Sequence, residues 1–199
     1  DVEHIIPPEK PFCVPLVAAC DVTNPLFGVD GAAYVFAPQK GANTEQVKLL
    51  DRGLRHMADV LKRDLNFDSE DLPGAGAAGG LGAGAAAFLN AELRSGIDIV
   101  LDESGFDKFA ANADVVITGE GRFDSQSTNG KVMSGVCKRA AKAGAKVYAV
   151  CGCASNDADP AALGIDKLFV SSDGTHSMDE LRLSCRRELF AAASVLAEE

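Results

Sequence analysis

Short apolar runs alternate with segments of helical period in the second half of this chain. Continuous apolar runs rich in valine predict strands, and apolar residues spaced three or four apart predict helices. The predicted elements are strands over residues 114–118, 146–150 and 167–170 and helices over residues 130–143, 160–163 and 178–197. Because strands and helices alternate with short connections, we expect a parallel sheet. Ser177 and Glu180 have capping-box spacing at the start of the last helix.

The first half of the chain is less regular, and glycine and proline interrupt it often. One helix is clearly predicted after Asn43, because apolar residues recur there with helical period. Asn43 and Gln46 have the spacing of a capping box at its start. The predicted elements are a buried strand over residues 12–20, an irregular segment over 21–42, a helix over 44–66, an alanine-rich helix up to residue 93, a strand over 97–101 and one or two helical turns over 106–112. We place a domain boundary near Gly105, which gives domains over residues 1–105 and 106–199.

The composition of the chain argues against several classes of protein. It carries 19 Lys and Arg against 29 Asp and Glu, a net charge of −10, whereas non-specific binding to nucleic acid needs a basic surface. No apolar run reaches the roughly 18 residues of a membrane helix, and no signal peptide opens the chain. Six cysteines permit disulfides, but a chain with 47% hydrophobic residues can bury a core without them. We therefore expect a reduced, cytoplasmic enzyme that binds neither nucleic acid nor membranes.

The most informative stretch covers residues 117–131, where a β-branched run gives way to glycines, carboxylates, hydroxyls and a lysine. Open α/β sheets bind ligands where a parallel strand runs into a polar turn, and a following helix N-terminus favours anions. The pattern therefore predicts a site for a phosphorylated ligand. Its candidate residues are Gly119, Glu120, Gly121, Asp124, Ser127 and Lys131.

The charged residues of this stretch allow more than one interpretation. Glu120 and Asp124 suit Mg2+, which takes few protein carboxylates and keeps water and phosphate oxygens, and the alternative is that they cap a turn. Lys131 can bind phosphate, or it can be a solvated lysine at a position that the helix dipole disfavours. The lysine does not end a Walker A loop, because Ser125 stands at the upstream glycine and Val132 at the final hydroxyl.

Polar residues also follow the first predicted strand. Asp21 and Asn24 fall where that strand stops and are candidates for orienting a substrate, and the alternative is an Asx-turn ahead of Pro25. Further along, Gln39 and Lys40 lie between turn-forming residues and add an amide and a cation. Taken alone, this second pair is typical of an ordinary loop.

A glycine-rich run covers residues 74–84 and fits G-x-G-x-x-G at its start. The segment before it is polar rather than strand-like, so the context is wrong for a dinucleotide-binding fold. Two interpretations stay open, namely a helix face that allows close backbone packing and a turn that faces a phosphate. In the second interpretation, the phosphate-binding residues are Gly76, Gly79 and Gly80.

Five segments together resemble one family, the bacterial glycerate kinases that phosphorylate D-glycerate. They are CDVTNPLFG (20–28), VFAPQKGA (35–42), LPGAGAAGGLGAG (72–84), GIDIVLDESGF (96–106) and ADVVITGEGRFDSQSTNGK (113–131). The segments occur in the family's order, and the match covers nearly the whole chain. Five collinear motifs are far more specific than a single glycine pattern.

The resemblance implies both a fold and a reaction. The fold is α/β, with two lobes around an active-site cleft, and its C-terminal lobe is a Rossmann-like three-layer parallel sheet. One lobe of the family is inserted into the other, which makes residues 1–105 the C-terminal part of the inserted domain and residues 106–199 that of the discontinuous domain. Because the family's N-terminal half is missing here, we expect both lobes to be incomplete. The reaction is transfer of the γ-phosphoryl group of ATP to a hydroxyl of D-glycerate, aided by Mg2+.

Motif position and chemistry assign roles for phosphoryl transfer, which is mainly positioning and charge neutralisation. The candidate catalytic residues are Asp21, Lys40 and Asp124, and the candidate metal ligands are Glu120 and Asp124. The candidate substrate- and phosphate-binding residues are Asn24, Gln39, Gly76, Gly79, Gly80, Gly119, Gly121, Ser127 and Lys131. The alternative function is a non-catalytic module that binds a nucleotide or phosphosugar. An exposed sheet edge would also allow self-association into a homo-oligomer.

Overall fold

Helices and strands follow one another in both halves of the chain. The computed structural model describes residues 2–10, 12–124 and 132–198 and divides into two units, Asp1–Gly96 and Ile97–Glu199. Unit 1 contains β1 (Val17–Ala19), α1 (Ala32–Phe36), a 3₁₀ turn (Pro38–Lys40), α2 (Thr44–Leu65), a 3₁₀ turn (Ala77–Gly79), α3 (Leu81–Leu89) and β2 (Glu92–Arg94). After α4 (Gly96–Glu103), unit 2 contains α5 (Phe106–Ala110), β3 (Val115–Phe123), α6 (Val132–Ala143), β4 (Lys146–Ala154), a 3₁₀ turn (Ala161–Leu163), β5 (Lys167–Val170) and α7 (Met178–Leu196).

Unit 1 is built from the β1–β2 pair and the three helices between its strands. The two strands pair in parallel along three residues. Helix α2 begins with the predicted capping box, in which Asn43 and Gln46 each accept a 2.9 Å hydrogen bond from the other's backbone N–H. It ends before Asn66, which adopts left-handed backbone (φ 53°). The buried core of this unit is formed around Leu26, Ala75 and Ala83.

The strand predicted over residues 12–20 is mostly wrong. Only Val17–Ala19 is a strand, and two of its three residues are exposed. Before it, Phe12 and Val14 are 51% and 61% exposed, so the apolar run is not a buried one. An apolar run can favour extended backbone, but a strand needs a partner, and within the described residues β1 pairs with β2 along three residues only.

Helix α1 lies in the segment 21–42, which the sequence predicts to be irregular. The helix is five residues long, begins after Gly31 and ends before Pro38. The glycine and proline that suggest a loop therefore mark the two ends of a short helix, with Gly31 as its N-cap and Pro38 just after its C-cap. Ala32 and Ala33 are only 3% exposed, so this helix contributes to the packing of unit 1.

The elements after the glycine run also differ from the prediction. Helix α3 ends at Leu89 rather than near residue 93, because Asn90 adopts left-handed backbone (φ 51°). The segment 97–101, predicted to be a strand, is helical and belongs to α4. A short apolar run does not distinguish a buried strand from a buried helix. Here the carboxylate of Asp21 accepts a hydrogen bond from the N–H of Gly96 and caps that helix.

The sheet of unit 2 confirms the predicted parallel arrangement. Strands β3, β4 and β5 lie side by side in that order, and both pairs are parallel. Helix α6 packs on β3 and β4, whereas α7 contacts β4 and β5 and begins with the predicted capping box of Ser177 and Glu180. The buried core consists of Phe123, Met133, Cys137, Ala140, Val147, Ala149, Cys151 and Ile165. Within the described ranges, no helix of either unit combines the length and the apolar content needed to cross a membrane.

Two strands of unit 2 are longer than the sequence predicts. Strand β3 continues to Phe123 rather than stopping at residue 118, and β4 continues to Ala154 rather than stopping at residue 150. Glycine in a strand often marks a bulge or a close approach of another backbone. At Gly119 the second applies, since a Cβ atom there would lie 2.2 Å from the carbonyl oxygen of Val150. The glycine therefore permits strand pairing to continue.

The units divide after Gly96, whereas the sequence places the boundary near Gly105. The contacts of Arg139 on α6 explain the difference. Its side chain is 13% exposed and lies within 3.5 Å of three carboxylates, those of Asp98, Asp102 and Asp107. Because these carboxylates belong to α4 and α5, the ion pairs hold both helices in unit 2. The assignment of the two halves to an inserted and a discontinuous domain stays a prediction.

Replacing Arg139 by methionine should lower the free energy of unfolding by about 1–2 kcal/mol, because a largely buried cation loses its hydrogen bonds while the apolar stem is kept. The measurement is urea unfolding followed by circular dichroism, at low and high salt. Arg182→Met is the matched control, because Arg182 is 75% exposed and pairs only with Asp179 among the described residues. If both variants lose the same small amount of unfolding free energy, the ion pairs of Arg139 do not hold α4 and α5 in unit 2.

Candidate ligand-binding residues in the two units

Asp21 lies just after β1 and contacts the start of α4. Its Oδ1 accepts a 2.7 Å hydrogen bond from the N–H of Gly96 and lies 3.5 Å from the Oγ of Ser95. A Cβ atom on Gly96 would lie 3.2 Å from both carboxylate oxygens, so glycine makes room for the carboxylate at this helix end. Capping of α4 accounts for these contacts, and the catalytic role of Asp21 stays a prediction.

Asn24 holds the loop after β1 together. Its Nδ2 donates a 2.8 Å hydrogen bond to the carbonyl oxygen of Asp30, six residues further along. The backbone carbonyl oxygen of Asn24 accepts a 2.9 Å hydrogen bond from the N–H of Gly76, in the glycine run. The side chain therefore closes a wider loop than an Asx-turn ahead of Pro25 would.

Asp51 is a supporting residue that the sequence analysis missed. It is 5% exposed, accepts a 2.7 Å hydrogen bond from the N–H of Gly28 and accepts a 2.8 Å hydrogen bond from the Nε of Arg55. The guanidinium of Arg55 also lies 4.6 Å above the ring of Phe27. These contacts fix the loop after β1 on α2. An acidic residue on the apolar face of a helix, one turn after Val47, is the signal that could have found it.

The glycine run contains positions of two kinds. At Gly74, Gly76 and Gly82 a Cβ atom would lie 2.1–2.7 Å from another atom of unit 1, so these three permit close packing. At Gly79 no atom lies within 4 Å of the Cβ position, so that side of the backbone is open. The turn before α3 has three consecutive left-handed residues, Ala78, Gly79 and Gly80. Packing and an open turn therefore occur in the same run, at different glycines.

Lys40 and Gly79 come from two different motifs and line one cavity of about 550 Å³. Lys40 and its neighbour Gln39 belong to the turn Pro38–Lys40, and both are exposed. The remaining walls of this cavity come from α1, from Ala37 directly after it, and from α2. Unit 1 thus brings a cation and an open glycine together, while among the described residues neither Asp21 nor Asn24 belongs to this lining.

In unit 2 the structure corrects the position of three predicted site residues. Gly119, Glu120 and Gly121 are predicted to lie in a turn, but they belong to β3 and pair with β4. The close approach of Val150 explains why residue 119 is a glycine, whereas Gly121 has no atom within 4 Å of its Cβ position. Glu120 is half-buried in the strand. Strand pairing, rather than turn formation, therefore holds these three residues.

Asp124 is the first residue after β3, at the carboxyl end of the strand. Its side chain is 26% exposed, and its Oδ2 lies 3.6 Å from the Nε of Arg122. Glu120 and Asp124 provide the carboxylate oxygens that Mg2+ prefers. No cluster of three or more potential metal ligands occurs among the described residues. Ser127 and Lys131 lie outside the described residues, so this predicted magnesium and phosphate site is not tested by the structure.

Cys151 is a core residue rather than a reactive thiol. It is 1% exposed, and its Sγ lies 3.9 Å from the Sδ of Met133. Burial raises the pKa of the Cys151 thiol, and this effect exceeds the lowering by a hydrogen bond with the backbone of Glu120. A thiol with a raised pKa stays protonated and is a poor nucleophile and metal ligand.

The two units share one arrangement. In each, a polar candidate residue follows the carboxyl end of a parallel strand, Asp21 after β1 and Asp124 after β3. Proteins of the open α/β class bind small ligands at this edge of their sheets. The fold is therefore of the open α/β class, and these residues lie at the edge where proteins of that class bind their ligands.

Comparison with known proteins narrows this class. The family model of the glycerate kinase family matches residues 8–198. A glycerate kinase of Bacillus cereus is 46% identical over 168 residues, which are 84% of this chain and 44% of that protein. A glycerate 2-kinase of Escherichia coli is 45% identical over 174 residues, which are 87% and 45%. A crystal structure of a putative glycerate kinase 2 from Salmonella typhimurium has a TM-score of 0.70 at 41% identity, covering 90% of this chain and 47% of that one.

The chain therefore belongs to the glycerate kinase family. This confirms the resemblance stated from the five motifs, and the parallel α/β structure confirms the fold class. The chain spans about half the length of the curated relatives it matches.

Proposed function

We propose that the protein transfers the γ-phosphoryl group of ATP to D-glycerate. The observation that carries this proposal is the family match over residues 8–198. One relative, 45% identical, is a glycerate 2-kinase, which favours the 2-hydroxyl as the acceptor. ATP and Mg2+ are part of the proposal, since phosphoryl transfer needs a donor and neutralisation of its charge.

Unit 2 would supply the residues that bind Mg2+ and the phosphate groups of ATP. The carboxylates of Glu120 and Asp124 are the proposed ligands of Mg2+, and the bound ion would neutralise charge on the transferred group. The position of Asp124 supports its part in this, because it follows the carboxyl end of β3 and is only 26% exposed. The residues proposed to bind phosphate oxygens beside them are Gly119, Gly121, Ser127 and Lys131.

Unit 1 would supply the side chains that bind glycerate and a further cation, the ammonium group of Lys40. We assign Asp21 to orient the reacting hydroxyl and accept its proton, and its hydrogen bond to Gly96 fixes the carboxylate in one orientation. Asn24 and Gln39 are proposed to bind glycerate. Lys40 is proposed to bind phosphate oxygens, a role that its exposure and its place beside the open turn at Gly79 support.

The activity is tested by measuring ADP release from MgATP with D-glycerate, with L-glycerate and without acceptor. We expect ADP to form only with D-glycerate, and phosphorus NMR of the product to show 2-phosphoglycerate. Calorimetric titration with MgATP and with D-glycerate is run in parallel. Binding of both without product is the result expected of a nucleotide- or phosphosugar-binding module, the alternative function, and equally of a kinase that has only about half of the length of its relatives.

We also infer a cytoplasmic location and allow for self-association. The chain can bury a core without disulfides, since 47% of its residues are hydrophobic, and disulfides are rare in proteins of reducing compartments. Among the described residues, β3 and β5 are the outer strands of the sheet in unit 2, and an outer strand can pair with a second copy. Analytical ultracentrifugation of the purified protein measures the oligomeric state.

A further inference from the structure

The cavity beside Lys40, called the α1–α2 cavity here, is larger and more apolar than a phosphate site needs. Its volume is about 550 Å³, and a neighbouring cavity of about 490 Å³ shares Lys40 and Leu50 with it. Pockets that bind small molecules have volumes of about 300–1,000 Å³ and mostly apolar walls. A ligand with an apolar part and a charged end would therefore fit this place.

The walls of the α1–α2 cavity are apolar with one exception. Ala32 and Ala33 are 3% exposed, and Phe36, Leu50 and Leu54 provide larger apolar surface. Among the described lining residues, Lys40 is the one charged side chain. Glycerate is a small anion with two hydroxyls and would leave such walls without an apolar partner. A planar heterocycle covers apolar walls well, because burial of apolar surface is favourable.

The charged end of the ligand must be an anion. Lys40 is exposed and carries the one charge among the described lining residues, so its ammonium group can reach a ligand in the cavity. Gly79, at the same cavity, leaves room for a ligand to approach the backbone. A heterocycle joined to a phosphate chain has both of the required parts.

We propose that the α1–α2 cavity binds the adenine ring of ATP and that Lys40 binds its phosphate groups. The proposal rests on the proposed function, because it takes ATP as the phosphoryl donor. It adds the place of the nucleotide base and makes α1 and α2 the elements that select the donor. The phosphate groups and the base of ATP each contribute to its affinity. Variants at Lys40 and in the apolar part of the cavity therefore test the two contributions separately.

The test measures dissociation constants of MgATP, adenosine and D-glycerate by calorimetry for the wild-type protein and three variants. Leu50→Glu places a carboxylate in the apolar cavity and should weaken MgATP and adenosine about tenfold or more, since desolvating a charge there is costly. Lys40→Ala should weaken MgATP about tenfold but leave adenosine unchanged, since the lysine acts on the phosphates. Leu189→Glu is the control, because Leu189 is 52% exposed on α7 and Leu50 is 48% exposed.

The outcomes separate this proposal from the proposed function. If MgATP binds the Leu50→Glu variant within twofold of the wild type, or if Lys40→Ala weakens adenosine as much as MgATP, the α1–α2 cavity is not the base site, and ATP can still be the donor. If the wild type shows no binding of MgATP at all, both proposals fail. Thermal unfolding midpoints equal to that of the Leu189→Glu control ensure that a weaker affinity reflects the cavity and not the fold.

Discussion

Replacing Asp124 with asparagine should lower kcat for glycerate phosphorylation by about 10²–10³-fold, the usual loss for one electrostatic contact in a transition state. Asp124 is the first residue after β3, and its carboxylate is 26% exposed. Asparagine keeps the size of the side chain but removes the negative charge that would hold Mg2+. The measurement is kcat and KM for ATP and for D-glycerate, over a series of Mg2+ concentrations. A higher Mg2+ concentration should recover part of the rate if the carboxylate is a metal ligand.

Two control variants make this result specific. Asp179→Asn changes a carboxylate that is 90% exposed on α7, and its kcat should stay within about twofold of the wild type, as is normal for an exposed surface charge. Arg122→Ala removes the cation 3.6 Å from Asp124, which separates loss of the ion pair from loss of the carboxylate. An Asp124→Asn variant that keeps wild-type kcat and the same response to Mg2+ would remove Asp124 from the mechanism.

The sheet of unit 2 could be predicted because its sequence signals agree. Strand β5 has the predicted bounds, and helix α7 begins at the predicted capping box of Ser177 and Glu180. The lengths of β3 and β4 could not be predicted, since glycine is typical of both a turn and a close approach of two strands. Only the neighbouring strand, with the carbonyl of Val150 beside Gly119, decides between them.

The first half of the chain was harder to predict because most of its elements are short. The segment 97–101, at the start of unit 2, is apolar enough for a buried strand, but it lies in α4, where Asp21 accepts a hydrogen bond from the first N–H of the helix. That contact joins residues 75 positions apart in the sequence. No local pattern contains it. Helix α2, in contrast, has 22 residues and a complete capping box, and its prediction is confirmed.

Prediction of the candidate site from the sequence is limited in the same way, because contacts between distant residues are not visible in a local pattern. The sequence could select polar residues at strand ends, such as Asp21 and Asp124, because chemistry and position along the chain are both visible there. It could not separate the packing glycine Gly76 from the open glycine Gly79, since both lie in one glycine pattern. It also missed Asp51, whose function is to hold the neighbouring loop in place.

Replacing Gly76 with alanine should lower the free energy of unfolding by about 3 kcal/mol, at the upper end of the usual cost of overpacking. The new Cβ atom would lie 2.2 Å from the carbonyl oxygen of Pro25 and 3.1 Å from that of Asn24. These are backbone atoms, so the loop after β1 must move as a whole. The 2.9 Å hydrogen bond from Gly76 N–H to Asn24 would be lost with that movement. Urea unfolding followed by circular dichroism measures the loss.

The same substitution at two other glycines separates steric clash from backbone strain. Gly84→Ala lies inside α3, where the nearest atom to the new Cβ is 3.8 Å away, so it should stabilise the protein by about 0.5–1 kcal/mol. Gly79→Ala meets no atom within 4 Å, but its φ of +77° should cost about 1–2 kcal/mol. The expected order of stability is therefore Gly84→Ala, wild type, Gly79→Ala and Gly76→Ala. If Gly76→Ala is as stable as Gly79→Ala, strain in the glycine run matters more than contact with the loop, and the loop after β1 does not depend on Gly76 for its position.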